Sequence, residues 1–118
     1  MVDARKAIEK LYIGRCTITE HRQQVDEETK QTKFVDVDLF SDIPCRLSFS
    51  TLKSTSDETV ATVSQTTKLF LAPEINVPAG CKITVTQNGR ATEYKQSGEP
   101  AIYTSHQEIQ LQLFQRWA

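Results

Sequence analysis

Apolar and polar positions change period once along this chain, early on, and that change sets the expected architecture. Ala4, Ala7, Ile8 and Leu11 fall at helical spacing with Asp3 placed as a cap, which predicts a short helix or arm over residues 1–11. A helix so short is marginal alone and needs a surface to pack on. From Ile13 the period becomes two: in "RCTITE", Cys16 and Ile18 share one face while Thr17 and Thr19 share the other. "HRQQVDEETKQTK" is polar and charged and reads as an extended hairpin tip. "FVDVDLF" then sets Val35, Val37 and Leu39 inward against outward Asp36 and Asp38. "SDIP" reads as a turn, and "CRLSFS" alternates again with Cys45, Leu47 and Phe49 inward. Pro44 cannot donate to a ladder, so it marks the start of that strand or an edge.

Further on, "TKLFLA" is a continuous apolar run ended by Pro73, as in a strand covered on both faces or one placed at a contact. "KITVTQNGRATEYK" carries the most specific local signal. Asn88-Gly89 is the preferred pair for a two-residue type I′ hairpin, because both central residues need positive φ. Counting outward from that turn pairs Val85 with Thr92 and Ile83 with Tyr94 on one face. "QSGEP" reads as another turn, and "IQLQLFQ" closes the pattern with Ile109, Leu111 and Leu113 inward. Trp117 follows, where an indole needs something to pack on. About seven short strands with at most one helix predict a mainly β fold, a small antiparallel barrel or sandwich in a single domain over residues 1–118.

One stretch does not fit that economy. "STLKSTSDETVATVSQTT", residues 50–67, has Ser or Thr at ten of eighteen positions and no Pro, Gly or aromatic residue. It reads as a long projecting loop over residues 51–63, too polar to order itself by burial. Its β-branched Thr59, Val60, Thr62 and Val63 nevertheless suit strand pairing once a partner edge is offered.

Composition narrows the functional classes. The chain has 118 residues, 38% hydrophobic and 25% charged, as in a soluble globular domain. A net charge of −1 gives no global pull on nucleic acid. No apolar run is long enough to span a bilayer as a helix, and the charged "MVDARKAIEKLYIG" lacks the apolar centre of a signal peptide. Cys16, Cys45 and Cys81 are odd in number and widely spaced, and each lies in or beside an alternating strand. They read as small buried hydrophobes in a reducing compartment.

Candidate chemistry is sparse. His21 and His106 are the two histidines, and "TSHQE" brings hydroxyl, imidazole and carboxylate close in sequence. On a strand, adjacent Ser105 and His106 point to opposite faces, so no catalytic pair is expected there. Cys45 with His106 has no supporting signature. Asp36 with Asp38, and Asp57 with Glu58, have no loop or histidine spacing that would hold a metal. Most aromatics (Phe34, Phe49, Phe70, Tyr94) fit core or core-edge positions rather than a stacking platform for bases. The expectation is no enzyme, no cofactor and no metal. A scaffold with long polar excursions and apolar ends reads as an assembly part.

The segments "LYIGRCTITEH", "DIPCRLSF", the long loop after it, and "LFLAPEINVPAGCKITVTQNGRATEYKQSGEPAIYTSHQEIQLQLF" carry a family resemblance over residues 11–117. The arrangement resembles the head-closure (stopper, or head–tail connector) proteins of tailed bacteriophages and related prophages. The resemblance implies a small β-barrel made in the bacterial cytoplasm and built into the virion neck. There it forms a homo-oligomeric ring, six- or twelve-fold, between the portal or adaptor protein and a tail terminator or tail-completion protein. Such a ring closes the head after packaging, with transient contact to the packaged DNA and none to a membrane. The loop Thr51, Leu52, Lys53, Ser54, Thr55, Ser56, Asp57, Glu58, Thr59, Val60, Ala61, Thr62 and Val63 becomes the assembly or gating loop. Ile8, Leu11, Asp26, Glu27, Glu28, Phe114, Arg116 and Trp117 become interface candidates. The alternatives are a stand-alone small-barrel binding module or another neck or tail-completion ring. A small hydrolase would need a pocket that the sequence does not advertise.

Overall fold

A computed structural model describes residues 4–55 and 61–117; for 51–55 and 61–64 the description is limited to the backbone. A short helix α1 (Ala4–Glu9) precedes six strands: β1 (Gly14–Val25), β2 (Thr32–Thr55), β3 (Ala61–Leu71), β4 (Lys82–Gln87), β5 (Arg90–Ile102) and β6 (Gln107–Leu113). They close into an antiparallel barrel in the order β1-β2-β3-β6-β5-β4. The mainly β barrel with one short amino-terminal helix is the fold that the alternation predicts.

The inward row holds the barrel together. Cys16, Ile18, Cys45, Leu69, Leu71, Cys81, Ile83, Val85 and Ile109 are almost entirely buried, and burying each of the Ile, Leu and Val side chains among them is worth about 1.5–3 kcal/mol. The β4–β5 hairpin has the register that its turn demands. Ile83 faces Tyr94 and Val85 faces Thr92, with Asn88 at φ 54° and Gly89 at φ 75°. Strand β1 closes the barrel between β2 and β4, and just beyond its start at Gly14 a side chain continues the link. The Gln87 amide accepts a hydrogen bond from the Leu47 N–H (2.8 Å) and donates to the Leu47 carbonyl (3.4 Å). Gly14 makes room for this bridge, since a Cβ there would sit 3.0 Å from Gln87 Oε1 and 3.2 Å from the Cys45 and Thr86 carbonyls. Gln107, buried beside the core, donates to the carbonyls of Ala72 (2.7 Å) and Ile75 (2.6 Å) and so ties the β3–β4 connection to β6.

Several expected breaks are absorbed into strands. "SDIP" is not a turn: β2 runs through it, with register shifts against β1 and Asp42 at φ 55°. That irregularity, a bulge-like kink, bends one long strand around the barrel, so six strands form where about seven are predicted. "QSGEP" likewise lies inside β5, as a register shift between Ser97 and Ala101 with Gly98 at φ 79°. Three residues expected inward or at the core edge are exposed: Phe34 (61%), Phe49 (53%) and Leu113 (67%). Each lies near the end of a strand or beyond the closed part of the barrel, where neither side faces a core.

That excess length is the fold's main departure from compactness. The radius of gyration is 17.5 Å, with extents of 60 × 50 × 27 Å, against about 13–14 Å for a compact chain of this size. Two ribbons account for the difference. In the first, β1 from Glu20 to Val25 pairs with β2 from Val37 back to Thr32, beyond the last β1–β4 pair at Thr19 and Lys82. In the second, β2 from Ser50 to Thr55 pairs with β3 from Thr66 back to Ala61, beyond the last β3–β6 pair at Thr67 and Leu111. Each extends about 20 Å, at ~3.3 Å per residue.

Candidate assembly surfaces

The second ribbon is built from the segment predicted as a loop. Thr51 to Thr55 and Ala61 to Val63 are paired strand, with Thr55 opposite Ala61. Ser56, Asp57, Glu58, Thr59 and Val60 lie outside the described residues. The β-branched residues singled out for strand pairing thus include members of a strand that β2 already partners on one side. Its other edge, residues 61–66 of β3, has no strand partner among the described residues. An open edge presents a row of N–H and C=O groups to any matching backbone.

The first ribbon ends in a polar turn. Asp26 N–H donates to the Gln31 carbonyl (2.9 Å), Lys30 N–H to the Asp26 carbonyl (2.7 Å), and Glu28 N–H to Asp26 Oδ1 (3.0 Å). Asp26, Glu27 and Glu28 therefore sit on a hydrogen-bonded hairpin tip, the element that the polar segment predicts. On this side β2 pairs with β1 only, because its pairing with β3 begins at Cys45. Asp36 and Asp38, read as a solvated face, also serve as cross-strand acceptors. Thr19 Oγ1 donates to Asp38 (2.8 Å) and His21 Nδ1 meets Asp36 (2.8 Å).

Trp117 does find something to pack on, and it is the root of that ribbon. The His21 ring lies between Phe34 (4.7 Å, 10°) and Trp117 (4.8 Å, 11°). Phe114 meets Trp117 edge-on (5.0 Å, 73°), and Lys82 Nζ lies 5.3 Å and 5.8 Å from the centres of the Phe114 and Trp117 rings. The His21 hydrogen bond, with help from Lys82 and Trp117, holds the Asp36 carboxyl below its usual range. Phe114 N–H donates to the Glu93 carbonyl (3.0 Å), so the tail leaves β6 across β5. Phe114 and Trp117, expected at an interface, are thus engaged within the chain. Arg116 instead lines a cleft of about 690 Å³ where β3 and β6 part, beside Lys95, Gln65, Gln112 and Leu113.

At the opposite chain terminus, the end of α1 and the residues after it face β2, β3 and the β5–β6 bend across a cavity. Ile8, Leu11 and Tyr12 close one side of a cavity of about 260 Å³, with Arg46, Phe70 and His106 on the other. The ion pair of Arg5 with Glu74 ties the helix to the β3–β4 connection. Burial pushes the Tyr12 hydroxyl up from its ordinary pKa, and that oxygen has no hydrogen-bond partner among the described residues. His106 is more connected than its sequence context suggests. Ser105 Oγ lies 2.9 Å from His106 Nδ1, and Glu108 Oε2 lies 3.2 Å from Nε2. The expectation that Ser105 and His106 point apart fails because residues 103–106 form the bend between β5 and β6 rather than a strand. Both ring nitrogens are occupied, the ring stacks on Tyr103 (4.9 Å) and tilts against Phe70 (5.7 Å), and Glu108 is shared with Lys68 (3.8 Å).

With this geometry in hand, comparison with known proteins adds one finding. The structure of the phage-like element PBSX protein xkdH from Bacillus subtilis matches with a TM-score of 0.53, at 14% sequence identity, over 84% of this chain and 91% of that one. The two share a fold. No family model matches the chain, and no curated protein matches it. Among the described residues, no group of three or more His, Cys, Asp or Glu side chains is placed to hold a metal ion.

Proposed function

We propose that this chain is a structural protein of a phage or phage-derived particle. In this reading it is a subunit of a neck ring that closes the filled head and receives the tail. The observation that carries the proposal is the pair of ribbons, each about 20 Å long, with strand edges that no part of the described chain covers. A monomer gains little from such ribbons, because a two-stranded ribbon in water is marginal by itself. A ring gives them a purpose. In a cyclic, heterologous assembly one surface of each subunit meets a different surface of the next, and strand addition is a natural way to join them.

The fold shared with the PBSX protein and the sequence resemblance over residues 11–117 both support a phage setting. The role in this reading is mechanical and not catalytic: the barrel sets the ring, the first ribbon and α1 contact neighbours, and the 51–63 ribbon reaches toward the channel or an adjacent subunit. The test is to delete residues 51–63 and assemble particles. The expected result is heads that package DNA but lose it, or fail to accept tails. Stable, tailed, DNA-filled particles from that deletion would refute the gating role. Particles with complete necks that contain none of this protein would refute the ring itself.

A further inference from the structure

We propose that the cavity under α1 is an anchor site for a partner protein segment that presents a bulky apolar side chain next to a carboxylate. The cavity's volume of about 260 Å³ falls below the ~300–1,000 Å³ of most small-molecule sites, which suits one large side chain. Its lining is mainly apolar, with Ile8 from α1, Leu11 just after it and Phe70 from β3. Tyr103 continues the wall outward through its stack on His106, and both Leu11 and Tyr103 are more than half exposed. An apolar rim of that kind fits a polypeptide better than a small solute, because a chain covers the rim while its anchor fills the pocket.

Charge selects the flanking group. Arg46, Phe70 and Glu108 form one cross-strand row on the outer face of the barrel. Phe70 stands between the other two, which places Arg46 and Glu108 about 10 Å apart at two strand spacings. Glu108 is occupied by His106 and Lys68. Arg46 makes no ion pair among the described residues, yet its side chain lines the cavity. A guanidinium at the mouth of an apolar pocket recognises a carboxylate by paired N–H donors.

The identity of the occupant as a protein segment rests on the assembly reading; the chemical preference of the pocket does not. The full chain, labelled with ¹⁵N, is titrated with N-acetyl-L-phenylalanine, which joins an aromatic ring to a carboxylate. The expected result is saturable shifts at the amides of Leu11, Arg46, Phe70 and His106. The uncharged N-acetyl-L-phenylalanine amide should bind roughly tenfold more weakly, the scale of one charge-assisted hydrogen bond. Arg46→Ala should erase the preference for the acid and leave the spectrum of the β4–β5 hairpin unchanged. Absence of saturable shifts at those amides up to tens of millimolar probe, equal binding of acid and amide, or a preference that survives Arg46→Ala would each overturn the proposal. A negative titration leaves the ring reading standing, and failure of the ring reading leaves the titration's result intact.

Discussion

The docking of Trp117 on the first ribbon can be worked through as a balance. Removing the indole forfeits its stack on His21 and its edge contact with Phe114, at about 0.5–1.5 kcal/mol each beyond area burial. The Lys82 contact adds about 0.5 kcal/mol at this partly exposed site. Half-burial of a Trp side chain covers roughly 100 Å², or about 2.5 kcal/mol at ~25 cal/mol per Å². These gains sum to about 5 kcal/mol. Against them stands the ordering of residues 115–117, beyond the last anchor at Phe114, at about 1–2 kcal/mol per residue. The net advantage of the docked tail is therefore about 1 kcal/mol. Trp117→Ala should lower global stability in urea by only about 1 kcal/mol, since the lost contacts are offset by entropy recovered in the tail. A double-mutant cycle with His21→Ala isolates the stack and should return a coupling of about 0.5–1.5 kcal/mol. Because Trp117 is the single tryptophan, its emission reports docking locally while circular dichroism reports the barrel. A cost above about 4 kcal/mol for Trp117→Ala would mean that the tail is integral to the barrel. A coupling of zero would mean that the rings do not stack.

Other consequences can be checked on the same protein. Gln107→Leu removes two short hydrogen bonds to Ala72 and Ile75; it should cost about 2 kcal/mol and roughly 8 °C in Tm, and a loss below 0.5 kcal/mol would show that the connection is held by other means. The Cys16 thiol is pushed well up by its hydrogen bond with Cys45 and by burial, and burial pushes Cys81 up to about 11. Ellman's reagent at pH 8 should therefore label the native chain only as fast as it unfolds, and rapid labelling would contradict the buried placement of all three thiols. The Asp36 carboxyl is held below its usual range chiefly by its bond with His21. Its contribution is therefore present above the unfolded carboxylate value of about 3.9 and is lost as pH falls through the lower folded value. Wild type should exceed Asp36→Asn in stability near pH 6 and converge with it in strong acid; parallel curves throughout would remove the pairing.

The barrel was legible in the sequence wherever burial imposes alternation. Cys16, Ile18, Cys45, Leu47, Ile83, Val85 and Ile109 all stand inward as the period of two requires, and Asn88-Gly89 carries its own register. Alternation says less about where a strand bends. "SDIP" and "QSGEP" have turn composition, but a β-bulge uses the same residues for the same reason, a single left-handed position that Asp42 and Gly98 supply. Phe49 and Leu113 kept the inward phase in sequence, yet they lie where the closed barrel gives way to ribbon or tail, so phase no longer implies burial.

The candidate surfaces were hidden by the same physics. A ribbon outside the closed barrel needs no apolar alternation, and so residues 50–67 have the composition of a loop although much of the segment is paired strand. What separates the two is an abundance of β-branched residues without an apolar face. That composition is suited to a strand whose backbone, and not its side chains, makes the contacts. Excluding everything the barrel needs singles out this segment, but that exclusion could not show that β2 already satisfies one edge of β3. On the ring proposal the requirement is specific: a neighbour that adds a strand here would offer backbone hydrogen bonds to residues 61–66 of β3, which have no second strand partner among the described residues. Proline placed along that edge should therefore impair assembly, while polar side-chain exchanges there leave it intact.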